Sequence, residues 1–223
     1  MTITLKKAPS IFNYKMKDQI VPRTDAHDYL GVTINSKLSW DSHCKRISAK
    51  AMKTLGMLRR NLHCCKKEVK SLAYITLVKP QVEYASCAWS PYQDTYIKLI
   101  EKVQNAAARF ATGDYGRRTS VSGLVNSLNW ISLEKRRMLE DLKLFHKIEH
   151  GIVNIKFPPA VFPAQSVTRK NHERCKFIVR PYIDVYKHSF FIRTIHQWND
   201  LSSVSVEINN SADFMESVKK TLL

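Results

Sequence analysis

Asp41-Ser42-His43-Cys44-Lys45-Arg46-Ile47-Ser48-Ala49-Lys50-Ala51-Met52-Lys53-Thr54-Leu55-Gly56-Met57-Leu58-Arg59-Arg60-Asn61-Leu62 is the stretch that decides the fold. Its apolar residues Cys44, Ile47, Ala51, Leu55, Leu58 and Leu62 recur every three or four positions, the spacing of one helix face. At about 100° per residue they form a narrow stripe. Lys45, Arg46, Lys53 and Arg60 fall on the opposite side, and Lys50 and Arg59 flank the stripe. One side of this helix can pack. The other is a strip of cations almost without balancing acids, which argues against simple i,i+4 pairing.

Downstream the helical period continues. A second helix is expected from Lys66 to about Ala88, ended or kinked at Pro80, which lacks an N–H and clashes with the preceding turn. A third runs from about Asp94 to Ala111, with Ile97, Ile100, Val103, Ala107 and Phe110 inward and Gly113 as its stop. A short helix near Val121–Leu128 leads to Trp130. Another spans Ser132 to His150, with Ser132 as N-cap and Gly151 just past its end. Its inward positions are Met138, Leu142 and Phe145. Phe157-Pro158-Pro159 and Phe162-Pro163 mark a linker. Residues 164–188 are polar and basic, without an assignable pattern. Ser189 to Ile195 runs into Trp198-Asn199-Asp200-Leu201 as a short helix or strand-turn. Residues 211–222 read as a terminal helix with Phe214, Val218 and Leu222 inward.

Upstream the period is that of strands. Thr2–Leu5, Phe12–Met16 and Tyr29–Ile34 are β-rich, punctuated by Pro9-Ser10, Asp18 and Pro22-Arg23-Thr24-Asp25. Three such pieces make a poor sheet alone and suggest the edge of something larger. The reading is a mainly α fold: residues 1–38 a small β element, 39–155 a helical bundle, 156–223 an α-rich C-terminal extension.

Charge is the compositional outlier. The 223 residues hold 36 Lys and Arg against 19 Asp and Glu, a net +17. Such a surplus favours polyanions, nucleic acid before acidic membrane; the plain alternative is a basic protein with no specific polyanion. Five cysteines (Cys44, Cys64, Cys65, Cys87, Cys175) form neither a disulfide framework nor a CxxC pair, which fits a reducing, intracellular compartment. No apolar run approaches the about 20 residues that span a bilayer, so no membrane partner is expected. Lys6 and Lys7 interrupt any secretory apolar segment.

Three basic groups are candidate phosphate contacts: the helix strip Lys45, Arg46, Lys50, Lys53, Arg59 and Arg60; Arg109, Arg117 and Arg118, with Tyr115 available for stacking; and Lys135, Arg136 and Arg137. Each can instead be a solvated face or loop, and Glu134 can pair locally with a neighbouring base. Trp89, Trp130 and Trp198 read as core anchors, with Glu83 and Tyr84 at a helix end against the core. His63-Cys64-Cys65 and His172-x-x-Cys175 lack the spacing of a zinc site, so no metal is expected. Asp18, Asp25 and Asp28 are isolated in loops, where capping and solubility are their ordinary roles.

One ordered series of short signatures carries a resemblance. It runs Tyr29-Leu30-Gly31-Val32, Leu38-Ser39-Trp40-Asp41-Ser42-His43, Leu58-Arg59-Arg60-Asn61-Leu62, Leu77-Val78-Lys79-Pro80, Glu83-Tyr84-Ala85-Ser86, Trp89-Ser90-Pro91, Glu101-Lys102-Val103-Gln104 and Ala107-Ala108-Arg109-Phe110. In order and spacing it resembles the segment just after the polymerase active site in reverse transcriptases of non-LTR (LINE-type) retrotransposons, particularly the jockey-like and chicken-repeat-like groups. Leu133-Glu134-Lys135-Arg136-Arg137 matches a further family segment. Phe191-Ile192-Arg193-Thr194-Ile195 through Trp198-Asn199-Asp200-Leu201 is similar to the terminal signature, with Ser202 where proline is expected.

The resemblance implies that Tyr29, Leu30 and Gly31 belong to a primer-grip-like region and that Gly31 permits close backbone approach. It implies a helical thumb holding a template–primer duplex of RNA and DNA, with the upstream palm and fingers of the parent polymerase as further partners. The parent would use two Mg²⁺ ions about 4 Å apart on paired aspartates. This chain has no Asp-Asp pair, and by the family's layout it starts a few tens of residues too late to include the catalytic hairpin. The expectation is therefore a polymerase fragment with no catalytic residue or cofactor of its own, in the nucleus or a cytoplasmic ribonucleoprotein. Two alternatives stand beside it: a domesticated free-standing nucleic-acid-binding protein, and a helical protein-interaction module.

Overall fold

The computed structural model describes residues 1–6, 12–164, 172–178 and 180–222. The expected Pro9-Ser10 turn lies outside them, as does part of the basic stretch 164–188. The protein is mainly α, with a small β element.

The N-terminal part is thin. β1 (Lys15–Met16) pairs with β2 (Gln19–Ile20), and β3 (Ala26–Tyr29) pairs with β4 (Val32–Asn35), both antiparallel. Thr2–Leu5 is not a strand; its one backbone tie is Thr4 N–H donating to Ser36 O at 3.0 Å. Tyr29–Ile34 is not one strand either. Leu30 and Gly31 form a two-residue turn with φ of 46° and 81°. Two positive φ angles in a row match the right-handed twist of the flanking strands.

α1 (Asp41–Asn61) follows and buries the expected stripe: Cys44, Ile47, Ala51, Leu55 and Leu58. α2 (Lys67–Ala73) runs into a single wide π turn (Tyr74–Val78), then α3 (Lys79–Glu83) and α4 (Ser86–Trp89). The one helix expected over 66–88 is thus broken twice. In the π turn Lys79 N–H reaches back five residues to Tyr74 O, and the wider turn accommodates Pro80. After α3 the chain turns at Ala85, which takes a left-handed φ of 51°.

α5 (Asp94–Thr112) ends on Gly113, at φ 74°, where a glycine carries no Cβ penalty. α6 (Val121–Ser127) leads to α7 (Leu133–Glu149), whose N-cap Ser132 Oγ accepts from Lys135 N–H. β5 (Val161–Pro163) pairs antiparallel with β6 (Lys176–Ile178). The expected linker is therefore partly a strand, and Phe157 packs against Phe145 and Phe191. α8 (Asp184–Lys187), α9 (Phe190–Asn199), α10 (Ser203–Val206) and α11 (Ser211–Leu222) complete the chain.

Two apolar clusters result. One gathers Val32, α1, the π turn, α3, α4, α5 and Leu133, with Tyr74 and Trp89 fully buried. The other gathers Leu139, Leu142, Phe145, Val161, α9, α10 and α11 around Trp198. α7 contributes to both, Leu133 to the first and Leu139 onward to the second. Arg193 of α9 crosses between them. It donates to both oxygens of Asp141 (2.8 and 3.0 Å), to Cys87 O (2.7 Å) and to His188 O (3.0 Å). Trp198 and Asn199 pin the 172–178 segment: the indole N–H donates to Arg174 O, and the Asn199 amide exchanges two bonds with the Lys176 backbone.

Candidate nucleic-acid interface

The signatures that contain residues 29–31 and 84 are far apart in sequence and meet in space with Arg46 of the α1 strip. Arg46 Nη2 on α1 donates to Gly31 O at 2.6 Å, and its Nη1 lies 3.6 Å from Asp28 Oδ2. From the opposite side Tyr84 Oη donates to Leu30 O at 3.1 Å. The turn is thus held by both of its carbonyls. A Cβ on Gly31 would meet Tyr84 Cε1 at 3.5 Å, an ordinary contact. Its φ of 81°, not a lack of space, is what favours glycine there. A groove of about 430 Å³ opens between these elements, with Leu30, Gly31, His43, Arg46, Lys50 and Tyr84 in its lining.

His43 forms the floor. It is 2% exposed, lies edge-on to Trp89, and its Nδ1 accepts from Thr33 N–H at 3.2 Å. Burial, with Arg46 adding to it, pushes its pKa down to about 4, so the ring is neutral near pH 7 and Nδ1 is free to accept. Asp28 lies at the rim, its pKa lowered chiefly by the Thr33 hydroxyl bond and secondarily by Arg46.

Along α1, Lys45, Lys50, Lys53 and Arg60 are exposed and pair with no carboxylate among the described residues. Arg59 behaves differently. It is half-buried, donates to Ala106 O at 3.0 Å, and lies 5.9 Å over the Tyr115 ring, so it ties α1 to the α5 side. Arg109 Nη1 donates to Gly116 O at 3.1 Å and shapes the loop after α5. Arg117 and Arg118 are exposed on that loop beside exposed Tyr115.

The third basic group is divided. Lys135 is exposed, with Nζ 3.4 Å from Leu222 O. Arg136 forms a two-pronged ion pair with Glu83, the Nη2–Oε2 contact at 3.0 Å. Arg137 is 2% exposed, which takes it out of any phosphate-contacting surface. Burial pushes its pKa down, with Glu101 and Glu134 opposing. Glu134, the residue expected to pair locally, is exposed, and its backbone N–H donates to Glu101 at 2.9 Å.

Sequence reasoning passed over Glu83 as the partner of Arg136, Asp141 as the partner of Arg193, and Gln104 as the acceptor for the buried Tyr74 hydroxyl. Nothing in the spacing joins Glu83 to a residue 53 positions away. Arg193 and Glu83 both sit inside quoted signatures, and that was the available signal. Asp28 is bonded to Thr33 and faces Arg46. Among the described residues no three His, Cys, Asp or Glu side chains gather as a metal site. No helix among them is long and apolar enough to cross a membrane.

The chain is similar to a probable RNA-directed DNA polymerase from transposon X-element of Drosophila melanogaster, 27% identical over 116 residues. The match covers 50% of this chain and 12% of that protein. The chain thus holds a reverse-transcriptase-related region and spans about an eighth of its relative's length. No family model matches it, and no solved structure matches it significantly.

Proposed function

We propose that this chain is the post-catalytic part of a non-LTR retrotransposon reverse transcriptase and holds template–primer nucleic acid without polymerising it. The supporting observation is the union of the 29–31 turn, Arg46 and Tyr84 around one groove that Lys50 lines, on a helix that also carries exposed Lys45 and Lys53. Cations facing solvent can neutralise phosphates and release counterions. The turn's carbonyls are fixed from two sides, so its outer edge can serve as a firm backbone ledge for a strand end. Arg60, Arg117, Arg118 and Lys135 extend the basic surface.

The same reading gives the N-terminal hairpins a partner. Phe12, Tyr14, Met16 and Ile20 are exposed, Met16 by 74%. Apolar side chains gathered on thin hairpins mark a surface that something covers, and the upstream palm of the parent polymerase is that covering element.

Binding of the chain to an RNA–DNA hybrid over a salt series tests the proposal. The expected result is a log K that falls linearly with log salt, with no primer extension when dNTP and Mg²⁺ are added. A slope near zero removes nucleic acid as the partner; extension product removes the claim that catalysis lies elsewhere.

A further inference from the structure

A second cavity, of about 470 Å³, lies between α5, α6 and the start of α7. It shares no lining residue with the α1 groove, and its size falls in the range of small-molecule sites, roughly 300–1,000 Å³. Its base is rigid. Gln104 is 1% exposed and engaged at both ends, accepting from Tyr74 Oη at 3.1 Å and donating to Ile131 O at 3.0 Å. Tyr74 in turn packs against Trp130 at a tilt of 31°, ring centroids 4.4 Å apart. Trp130 is thus a braced aromatic plate, and the part of it that Tyr74 leaves uncovered lines the cavity.

The remaining lining is mixed: Val121 and Val125 are apolar, Ser122 and Ser132 already share hydrogen bonds with Ser120 and the Lys135 N–H, and two amides are unengaged. The amides of Asn105 and Asn126 make no side-chain hydrogen bond with a described residue. Glu101 accepts from Glu134 N–H at 2.9 Å through Oε1 and faces the cavity with its carboxylate; burial raises its pKa, with that bond and Arg137 opposing. Val125 adds an apolar wall, and exposed Lys135 adds a cation.

We infer that this cavity takes the base of a single unpaired nucleotide. A heteroaromatic ring needs a flat apolar contact, which Trp130 and Val125 supply. Its edge carries donors and acceptors side by side, which carboxamides match. An exocyclic amino group can donate to the Glu101 carboxylate, which retains lone pairs beyond the Glu134 bond, and Lys135 can meet the phosphate. A simple anion would face Glu101, and a hydrocarbon would leave both amides without partners. The inference uses none of the α1 cations and shares only Lys135 with the polymerase reading.

The test follows the Trp130 indole N–H signal of the full chain, assigned with Trp130→Phe. The probes are the four ribonucleoside 5′-monophosphates, an RNA hairpin with one bulged nucleotide, and the same hairpin fully paired. The expected result is that at least one monophosphate and the bulged hairpin move the signal, while the paired hairpin does not. Asn126→Ala, an exposed change that leaves melting unaltered, weakens that binding about fivefold; Lys45→Glu with Lys50→Glu leaves the monophosphate affinity unchanged. A bulged hairpin binding more tightly than the monophosphate assigns the base to a strand, and the reverse order assigns it to a free nucleotide. The inference is overturned if no monophosphate moves the Trp130 signal, or if Asn126→Ala leaves the affinity intact.

Discussion

The outer face of α1 and the first turns of α7 carry similar runs of lysine and arginine, and the fold uses them in opposite ways. On α1, Lys45, Lys50 and Lys53 stand in solvent and form no ion pair among the described residues, although Asp41 lies one turn from Lys45. On α7, Lys135 is exposed, but Arg136 is held by Glu83 from α3 and Arg137 is enclosed near Glu101 from α5. Other elements make the difference. α7 crosses the seam between the two apolar clusters, and a cation at a seam meets acids delivered from elsewhere. α1 turns its apolar stripe into the first cluster and leaves an outer margin where Arg46 is tied to Gly31 O and Asp28 while Lys45, Lys50 and Lys53 face solvent. Cations at the seam brace the structure, and cations at the margin remain available to a polyanion.

The strongest way to break this comparison is at Asp141, 3% exposed and bonded twice to Arg193. Asp141→Ala leaves a half-buried guanidinium without its carboxylate, and removing one partner of such a pair costs about 3–5 kcal/mol. Chemical denaturation is expected to show that loss, with both clusters weakened because Arg193 also holds Cys87 O on α4. A loss below about 1 kcal/mol would show that the seam does not depend on its ion pairs.

Next in size is the contrast itself. Lys45→Glu, Lys50→Glu and Lys53→Glu together are expected to weaken hybrid binding about a hundredfold at low salt and to flatten the salt slope by about three. Each exposed change should shift stability by no more than about 0.5 kcal/mol. Arg136→Met is the mirror case, losing about 1–3 kcal/mol of stability because Glu83 is left partnerless, with the salt slope unchanged. If Arg136→Met flattens the slope as much as the triple reversal does, the division between brace and binding surface is wrong.

That division also marks what the sequence could tell. α1, α5 and α7 were legible because each carries its own instructions: a three-and-four spacing, Ser132 before the first turn, Gly113 and Gly151 after the last. The π turn was not, because it depends on where Tyr74 must reach to meet Gln104, 30 residues on. The strand at 161–163 was hidden because its partner lies in a polar stretch with no pattern of its own. At the site, the α1 strip could be found from periodicity, whereas the burial of Arg137 could not. A helix wheel records only the helix, and the packing that encloses Arg137, with Cys44 of α1 and Glu101 of α5 beside it, comes from other segments.

A smaller effect follows from His43, which the fold keeps neutral beneath the groove. Its folded pKa is near 4 against about 6.5 unfolded. The unfolded chain therefore takes up the proton first as pH falls. The stabilisation is complete above about pH 6.5 and is lost progressively down to about 4, by at most about 3 kcal/mol. Buried His146 is shifted the same way, chiefly by burial, and adds to the slope. His43→Gln is expected to flatten melting temperature against pH between 6.5 and 4.5, leaving the His146 share. An unchanged slope would place the pH sensitivity wholly in the C-terminal cluster.

The smallest predicted effect concerns the turn that α1 and Tyr84 hold together. Leu30 sits at φ 46° with its side chain 73% exposed, a conformation that costs a β-carbon roughly 1–2 kcal/mol. Glycine would remove that cost and add back most of it as entropy in the unfolded chain, so Leu30→Gly should gain only about 0.5 kcal/mol. A strained, exposed leucine with both turn carbonyls already bonded contributes nothing visible to the fold, which leaves its outward face as the reason to keep it. Weaker hybrid binding by Leu30→Gly, alongside unchanged or higher stability, would place this turn with the α1 lysines on the binding side. Equal binding with a measurable loss of stability would place it with Arg136 among the braces.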